Sequence, residues 1–448
     1  MQEKAPVDDS YVRFCRAMEG FAPFESSPRL AVALSGGSDS LALLHLATRW
    51  AATCQAQVTA LTVDHDLRSN SRAEAETVGN WVRALGHSHH ILTWKGAKPA
   101  TGIQAAARSA RYQLMEDWCR DHDVLHLMVA HTRDDQAETY LMRKHHGSGP
   151  DGMAAMSAVR ELTDCRLLRP LLAETRETLR DGLRSRGVNW IEDPSNADPA
   201  YERVRWRNHI AGENLALADL ADTVADFAAR RVRANQVLVS QIAPGVSLSP
   251  MGYATIGADV LENLPPLQAG RLLARVLSVI GGGLYPPDQK KTNALCARMN
   301  RMDSGSLTLG GCHVSKGAGG LHILREGRNL PLPHLIHPGD TVSWDRRFRM
   351  RFGKGPDKSR GKVYLRAFAE DDWPVLKPCF MAAPTGVRPL DICRGLPVVA
   401  DEIGVLAAPH LNYRRTQMEK SQKNAGDLIR FLSFSPSISL SGGGFSVA

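Results

Sequence analysis

The sequence predicts an α/β protein: a parallel sheet in the first 190 residues, then a helical domain and a small C-terminal α+β domain. Up to residue 190, short apolar segments alternate with longer segments of helical pattern, which is typical of a parallel sheet with helices on both faces. Beyond residue 210 the chain is Ala-rich and helical, and beyond about 341 it is rich in strand-like segments. Ligands of parallel sheets bind at the carboxyl ends of the strands, so we expect the functional residues there.

Four strands are predicted in the first part of the chain, at residues 30–34, 58–63, 89–93 and 125–130. The helices predicted between and after them cover residues 41–50, 73–85, 104–120 and 134–144. Each strand is a short apolar run, and each helix has an apolar face.

The rest of the chain is predicted in less detail. Helices are predicted at 214–242, which holds the basic cluster Arg230, Arg231 and Arg233, and at 264–280. Residues 307–309 and 321–324 flank Gly-rich turns and predict a hairpin, and three prolines indicate a linker at 329–340. We therefore expect domains at 1–210, 211–328 and 335–440, and a disordered tail at 441–448.

Charge and composition narrow the class of protein. A formal net charge of +8 over 448 residues favours a polyanionic partner, with nucleic acid first. The eight cysteines include no C-x-x-C pair, which suits an enzyme of the reducing cytosol better than a disulfide framework. No signal peptide is recognisable, and no run approaches the roughly 18 apolar residues of a membrane span. We therefore expect a cytoplasmic protein without membrane contact. A homodimer is compatible with the sequence, which leaves the oligomeric state open.

A Gly/Ser loop follows the first strand and opens a helix: Ser35, Gly36, Gly37, Ser38, Asp39 and Ser40. Glycines let the backbone approach a phosphate, and a helix N-terminus offers unpaired N–H groups with partial positive charge. Asp39 alone would repel phosphate, so its presence indicates a bridging Mg²⁺. The alternative is an N-capped helix after a flexible turn.

The loop is not a Walker A motif, because no G-K-[ST] follows it. It resembles the S-G-G-x-D-S loop of the PP-loop ATP pyrophosphatases. That resemblance implies a Rossmann-like sheet of the adenine nucleotide alpha hydrolase type. It also implies ATP as the nucleotide, with cleavage between the α and β phosphates.

Two further segments carry candidate nucleotide-binding residues. Residues 63–68 (VDHDLR) follow the second strand and include Asp64 and His65; Asp66 stands where a related motif has Gly. Residues 102–112 (GIQAAARSARY) place Arg108 and Arg111 three apart on one helix face, where two guanidinium groups could clamp phosphate oxygens. A solvated basic face is the alternative for this pair.

Residues 130–139 (AHTRDDQAET) place His131, Asp135 and Glu138 on one face at the start of a helix. Paired carboxylates suit both the recognition of a cationic substrate and the removal of its proton. Acidic residues in a first helical turn are also common caps, which is the alternative. Residues 192–198 (EDPSNAD), followed by Arg203 and Arg205, read either as a substrate-binding loop or as a turn-rich connector.

Together with the glycines at 147–152, these segments resemble tRNA(Ile)-lysidine synthetases, in the order in which that family carries them. The resemblance implies that ATP and Mg²⁺ are used to attach L-lysine to carbon 2 of the wobble cytidine in the CAU anticodon of tRNA(Ile), through an adenylated intermediate. It implies catalytic roles for Asp39, His131, Asp135 and Glu138, with Asp39 also holding the metal. Nucleotide binding would fall to Ser35–Ser40, Asp64, His65, Arg108 and Arg111, and substrate binding to Asp135, Glu138, Arg203 and Arg205.

Two rival functions remain open from the sequence. A tRNA thiolase of the same superfamily would need catalytic cysteines, often paired or clustered, and none lies in such a motif. A non-enzymatic RNA-binding protein could keep the fold, although it would not need the full set of acidic and phosphate-loop residues.

Overall fold

A computed structural model describes residues 9–66, 71–96, 98–99, 101–192, 198–213, 215–283, 285–317, 319–353, 362–415, 429–438 and 440. The chain forms two compact units, one up to residue 233 and the other over residues 234–443. The predicted tail at 441–448 lies outside the described residues, and the predicted domain boundaries stay predictions.

The first unit is built on a six-stranded sheet in the order β3-β2-β1-β4-β6-β5. Its strands are β1 (Arg29–Ala33), β2 (Gln57–Asp64), β3 (Ser88–Thr93), β4 (His126–Met128), β5 (Val159–Glu161) and β6 (Arg166–Leu168). All pairs are parallel except that of the edge strand β5 with β6. The prediction of an α/β fold with a parallel sheet is therefore confirmed.

Helices cover both faces of this sheet. They are α1 (Asp9–Gly20), α2 (Ser38–Cys54), α3 (Ser71–Ala84), α4 (Ile103–Asp121), α5 (Arg133–His145), α6 (Pro150–Met153), α7 (Arg176–Arg184) and α8 (Glu202–Gly212). One core contains the apolar faces of α1, α2, α3 and α7, whereas α4 packs in a second core with Ala31 and Leu61 of the sheet. The apolar periodicity of α2 and α4 predicted them well, but α1, α7 and α8 were not predicted.

Helix α9 (Leu217–Gly245) confirms the Ala-rich helix expected at 214–242. The basic cluster on it is partly engaged within the protein. Arg230 pairs with Asp226 at 2.7 Å, and Arg231 Nη1 donates to the carbonyl of Asp151 at 2.8 Å. Arg231 is thus engaged within the first unit, whereas the Arg230 pair is exposed to solvent, and a role of this cluster toward phosphates stays a prediction.

The second unit combines helices with three antiparallel sheets. Its helices are α10 (Ala258–Asn263), α11 (Pro266–Gly281), α12 (Gln289–Arg301), α13 (Trp373–Leu376) and α14 (Pro389–Cys393). Its strands are β7 (Val246–Leu248), β8 (Ala254–Gly257), β9 (Gly305–Leu309), β10 (Cys312–Gly317), β11 (Gly320–Arg325), β12 (His334–Leu335), β13 (Thr341–Trp344), β14 (Phe348–Phe352), β15 (Tyr364–Ala367), β16 (Pro397–Asp401), β17 (Gly404–Ala408), β18 (Tyr413–Arg414) and β19 (Ile429–Phe434).

The predicted hairpin of residues 307–309 with 321–324 is wrong in its pairing. Strand β10 lies between the two segments and pairs with both of them, β9 on one side and β11 on the other. Gly310 and Gly311, both at positive φ, turn the chain directly from β9 into β10. The turn residues thus make a three-stranded meander where one long hairpin was expected.

Candidate active site

The Gly/Ser loop crosses from β1 to α2 at the carboxyl end of the sheet. Gly36 has a φ of +84°, and a Cβ there would lie 2.7 Å from Val78 Cγ2. The Ser40 hydroxyl accepts from the Ser35 N–H at 3.2 Å and donates to the Gly37 carbonyl at 2.9 Å. No side chain caps α2 at Gly37, so the amide groups of its first turn have no side-chain partner from that residue. Phosphate binding by the loop stays a prediction.

Asp39 lies in the first turn of α2 and is partly buried. Ser38 Oγ donates to Asp39 Oδ1 at 3.2 Å, and Arg176 Nε lies 3.4 Å from Oδ2. Burial raises the pKa of Asp39 above its ordinary value, and the neighbouring Asp135 charge adds to the effect, while Arg176 opposes it. A cation beside Asp39 would offset both the burial and the repulsion from Asp135, and it would thereby stabilise the ionised carboxylate.

Mg²⁺ fits this position as a partner of Asp39. The described residues contain no cluster of three or more His, Cys, Asp or Glu that could hold a metal by themselves. A magnesium ion on a nucleotide needs only one or two carboxylates, because phosphate oxygens and water complete its octahedron. Asp39 would supply one hard oxygen ligand next to the phosphate loop.

Asp135 and Glu138 of α5 contact the same arginine as Asp39, and this arginine was not predicted from the sequence. Arg176, the first residue of α7, makes ion pairs with Asp39, Asp135 and Glu138, the last at 2.8 Å between Nη1 and Oε1. These neighbours raise the pKa of Arg176 despite its burial. Three acidic side chains thus converge on one guanidinium beside the phosphate loop.

Asp135 and Glu138 differ in how many of their carboxylate oxygens have a hydrogen-bond or ion-pair partner. Asp135 Oδ2 accepts from the N–H and the hydroxyl of Thr132, which closes a capping box, and Oδ1 pairs with Arg176. Burial opposes ionisation of Asp135, but Arg176 and His131 hold its pKa below the ordinary value. Glu138 is 1% exposed; its Oε1 also accepts from Arg207 Nε at 3.0 Å, whereas Oε2 is buried and lacks a hydrogen-bond partner among the described residues. Glu138 Oε2 is thus a buried acceptor of the cluster that has no hydrogen-bond partner among the described residues.

His131 lies at the end of β4, beside this cluster. Arg169 Nε donates to His131 Nδ1 at 3.2 Å, so the ring proton belongs on Nε2. Burial and then the charge of Arg169 lower the pKa of His131 to about 3. The imidazole is therefore neutral at physiological pH and offers an N–H donor.

Arg108 and Arg111 lie on α4 as predicted. Their guanidinium carbons are 5.2 and 5.4 Å from the Tyr112 ring centroid. Burial lowers the pKa of Arg111, and Arg108 adds to the effect. Arg111 is half-buried and Arg108 is exposed, so both the phosphate clamp and the solvated face stay open for this pair.

Asp64 is the last residue of β2 and His65 follows it, and Asp64 has a structural role. Its Oδ1 accepts from the Asp66 N–H at 2.9 Å and from the Ser71 hydroxyl at 2.7 Å. Asp66 itself has a φ of 52°, a conformation that Asp tolerates better than most residues. Burial lowers the pKa of His65, and Arg111 adds to this effect. Leu67 and Arg68 of the motif lie outside the described residues.

Helix α8 presents its arginines on different sides. Arg203 Nη1 lies 3.9 Å from Asp135 Oδ1, and Arg207, which the sequence analysis missed, pairs with Glu138. Arg205 instead donates to the carbonyls of Pro199 and Ala200 and holds the preceding turn. The i, i+4 spacing places 203 and 207 on the acidic cluster, whereas Arg205 points away from it. Residues 193–197 of the preceding motif lie outside the described residues.

Comparison with known proteins identifies the family of the chain. A family model described as a PP-loop domain matches residues 10–214, so the first unit is a PP-loop ATP-binding domain. The tRNA(Ile)-lysidine synthase of Brucella anthropi is 41% identical over 342 residues, 73% of this chain and 74% of the relative. That of Ruegeria pomeroyi is 37% identical over 402 residues, 87% and 90% of the two chains. The chain therefore belongs to the tRNA(Ile)-lysidine synthase family, as its motifs predicted.

Two further comparisons add little. A solved structure, the U34-tRNA thiolase NcsA from Methanococcus maripaludis with its [4Fe-4S] cluster, covers 49% of this chain and 78% of its own, with a TM-score of 0.42 and 12% identity. These values are too low to support an inference about the present chain. Within the described ranges, no helix is long and apolar enough to cross a membrane.

Proposed function

We propose that this protein ligates L-lysine to carbon 2 of the wobble cytidine in the CAU anticodon of tRNA(Ile). ATP is consumed through an adenylated tRNA intermediate, and the products are lysidine, AMP and pyrophosphate. Family membership supports the reaction. The observation that carries it is the buried Oε2 of Glu138, which lacks a hydrogen-bond partner among the described residues and belongs to the same ion-pair cluster as Asp39 of the phosphate loop.

In the first step the cytidine O2 attacks the α-phosphorus of ATP, and the bond to the β-phosphate oxygen breaks. The uncapped N–H groups of the first turn of α2 bind the phosphates whose charge grows during this step. Asp39 would hold Mg²⁺, which would neutralise part of that charge. The neutral imidazole of His131 can donate its Nε2–H in a hydrogen bond to an oxygen. It cannot act as a general acid near neutral pH, because its pKa of about 3 keeps the ring unprotonated there.

In the second step the ε-amine of lysine attacks carbon 2, and the carbon–oxygen bond to AMP breaks. Glu138 Oε2 binds the lysine ε-ammonium and accepts the proton that the amine must lose. Arg203 and Arg207 lie on the same cluster with more exposed side chains, and they suit the lysine α-carboxylate. Asp135 orients Arg176 and the start of α5, because both of its oxygens are occupied.

The thiolase alternative is less well supported. A nucleophilic cysteine needs an accessible thiol of lowered pKa. All eight cysteines are free in the structure, five of them are buried, and burial raises the pKa of Cys296 to about 11 and of Cys312 and Cys393 to about 12. Free thiols throughout also fit a reducing cytosol, where we propose that the protein acts.

The test is to incubate the purified chain with ATP, Mg²⁺, radiolabelled lysine and tRNA(Ile) carrying CAU. Label should enter the anticodon nucleoside, with one pyrophosphate released per lysine incorporated. Asp39→Asn should lose both activities, and a tRNA with a mutated wobble base should accept no lysine. Pyrophosphate release without lysine incorporation would point to a different PP-loop modification. tRNA binding without pyrophosphate release would leave only an RNA-binding protein.

A further inference from the structure

The phosphate loop has no cation of its own. Residues 35–40 contain no Lys or Arg, and their only charged side chain is the carboxylate of Asp39. A leaving pyrophosphate carries several negative charges, and backbone N–H groups supply only partial positive charge. Positive side chains must therefore reach the loop from another element.

Helix α7 supplies them. Leu179 and Leu183 bury one face of α7 in the core that also contains α2. Arg176 and Arg180 are four residues apart and therefore share another face of α7. Both point at the start of α2: Arg176 Nε lies 3.4 Å from Asp39 Oδ2, and Arg180 Nε donates to Ser38 Oγ at 3.3 Å.

The two arginines differ in what else they contact. The guanidinium of Arg176 is committed to three carboxylates. Arg180 is partly buried, and in the part of the chain that the structure describes no carboxylate lies within ion-pair distance of it. Its hydrogen bond to a neutral hydroxyl uses one of five N–H donors. Among the described residues Arg180 thus makes no direct ion pair, and its charge acts at longer range on the Asp39 carboxylate, whose pKa it lowers.

We propose that Arg180 is a pyrophosphate-binding residue, whose guanidinium contacts the β- and γ-phosphates of ATP next to Ser38 and stays on the pyrophosphate as it leaves. The inference rests on the ATP-using half of the proposed function and does not depend on the acceptor. When the bond between the α-phosphorus and the bridging oxygen breaks, the bonding electron pair stays on pyrophosphate. Arg180 faces that growing charge without first having to release a carboxylate.

The experiment measures binding of ATP, inorganic pyrophosphate and AMP to the full chain by calorimetry. A hydrogen bond to a charged group contributes enough for Arg180→Gln to weaken ATP and pyrophosphate binding by about tenfold. AMP binding should not change, because AMP lacks the phosphates concerned. Arg180→Lys keeps the charge and should recover most of the loss. Arg184→Gln, one turn further along α7 at a residue paired with the exposed Asp181, is the matched control and should bind all three ligands normally.

Two outcomes would overturn the proposal: equal losses for ATP and AMP in Arg180→Gln, which would mean a distorted loop, or no loss for either. If Arg180→Gln unfolds early by circular dichroism, Arg180→Lys decides instead. In a folded Lys variant, a small loss of ATP and pyrophosphate binding with unchanged AMP binding supports the role, because the ammonium lacks the planar fork of the guanidinium. Binding of all three ligands that is unchanged, or weakened equally, rejects it. A wild type that binds ATP and pyrophosphate but transfers no lysine would sink the proposed ligase and leave this assignment standing.

Discussion

Replacing Glu138 by Gln tests the acidic cluster most directly. The change keeps the shape of the side chain and removes its charge. Glu138 Oε1 would still be able to accept from Arg176 and Arg207, at present 2.8 and 3.0 Å away. What is lost is the anionic acceptor at Oε2, which is buried and has no hydrogen-bond partner among the described residues. The site proposed for the lysine ammonium would then present a neutral amide.

The expected effect follows from the desolvation of this site. Removing one partner of a buried charge pair costs about 2–5 kcal/mol. The amide keeps some hydrogen bonding, so we expect the lower end, about 2 kcal/mol, which raises the KM for lysine about 30-fold. The KM for ATP should change by less than about threefold, since Asp135 still pairs with Arg176 and keeps it beside Asp39.

Single-turnover assays separate the two chemical steps. Adenylation of tRNA, followed by pyrophosphate release, should proceed in Glu138→Gln, and the adenylated intermediate should accumulate at low lysine. The exposed Glu177, next to Arg176 in sequence, gives a matched control in Glu177→Gln, which should behave as the wild type. A Glu138→Gln protein that transfers lysine with the wild-type KM would refute the reasoning, and the lysine site would have to lie elsewhere.

Two further predictions concern His131 and the phosphate loop. Because the pKa of His131 is about 3 when folded and 6.5 when unfolded, the unfolded chain binds the extra proton as pH falls below 6.5 and stability is lost. Denaturant titrations should show the wild type losing about 2 kcal/mol more than His131→Gln between pH 7 and 5, and equal losses would place a charged imidazole in the folded state. Gly36→Ala should abolish ATP binding, because its φ of +84° and the 2.7 Å approach of Val78 exclude a Cβ. Gly37→Ala, at a φ of −75° and with only Ser35 Oγ near, should fold with nearly wild-type thermal stability, and a similar melting loss in both variants would contradict this steric argument.

The fold of the first unit was predictable because its signals are local. Strands β1 and β2 are short apolar runs, and α2 follows a glycine-rich turn with an apolar pattern of its own. Each of these sequence signals comes from residues that lie close together in the chain, within one helix or strand. The meander around β10 was misread because Gly310 and Gly311 mark a turn without saying which strands it joins. Register between strands is decided by packing that the local sequence does not contain.

The arginines of the site could not be predicted in the same way. Arg176 meets Asp135 and Glu138 across separations of 41 and 38 residues, and Arg180 meets Ser38 across 142. On an isolated helix such arginines look like a solvated face, since their partners come from other elements. One signal was available: three acidic side chains near a phosphate loop require cationic neighbours, because unpaired buried charges are costly. Charge balance could have prompted a search for arginines, but not chosen among them.

Asp135 and Glu138 show why a helix cap and a functional site do not exclude each other at the start of α5. Asp135 is the third residue of α5, and at that position a carboxylate reaches back to the N–H of Thr132. Glu138 lies one turn later, where the backbone N–H groups are already bonded within the helix, so its carboxylate cannot cap. Its burial must be compensated by side chains from elsewhere, and Arg176 and Arg207 compensate one oxygen only. The same helical spacing that puts both carboxylates on one face therefore makes Asp135 the anchor and leaves Glu138 to meet a ligand.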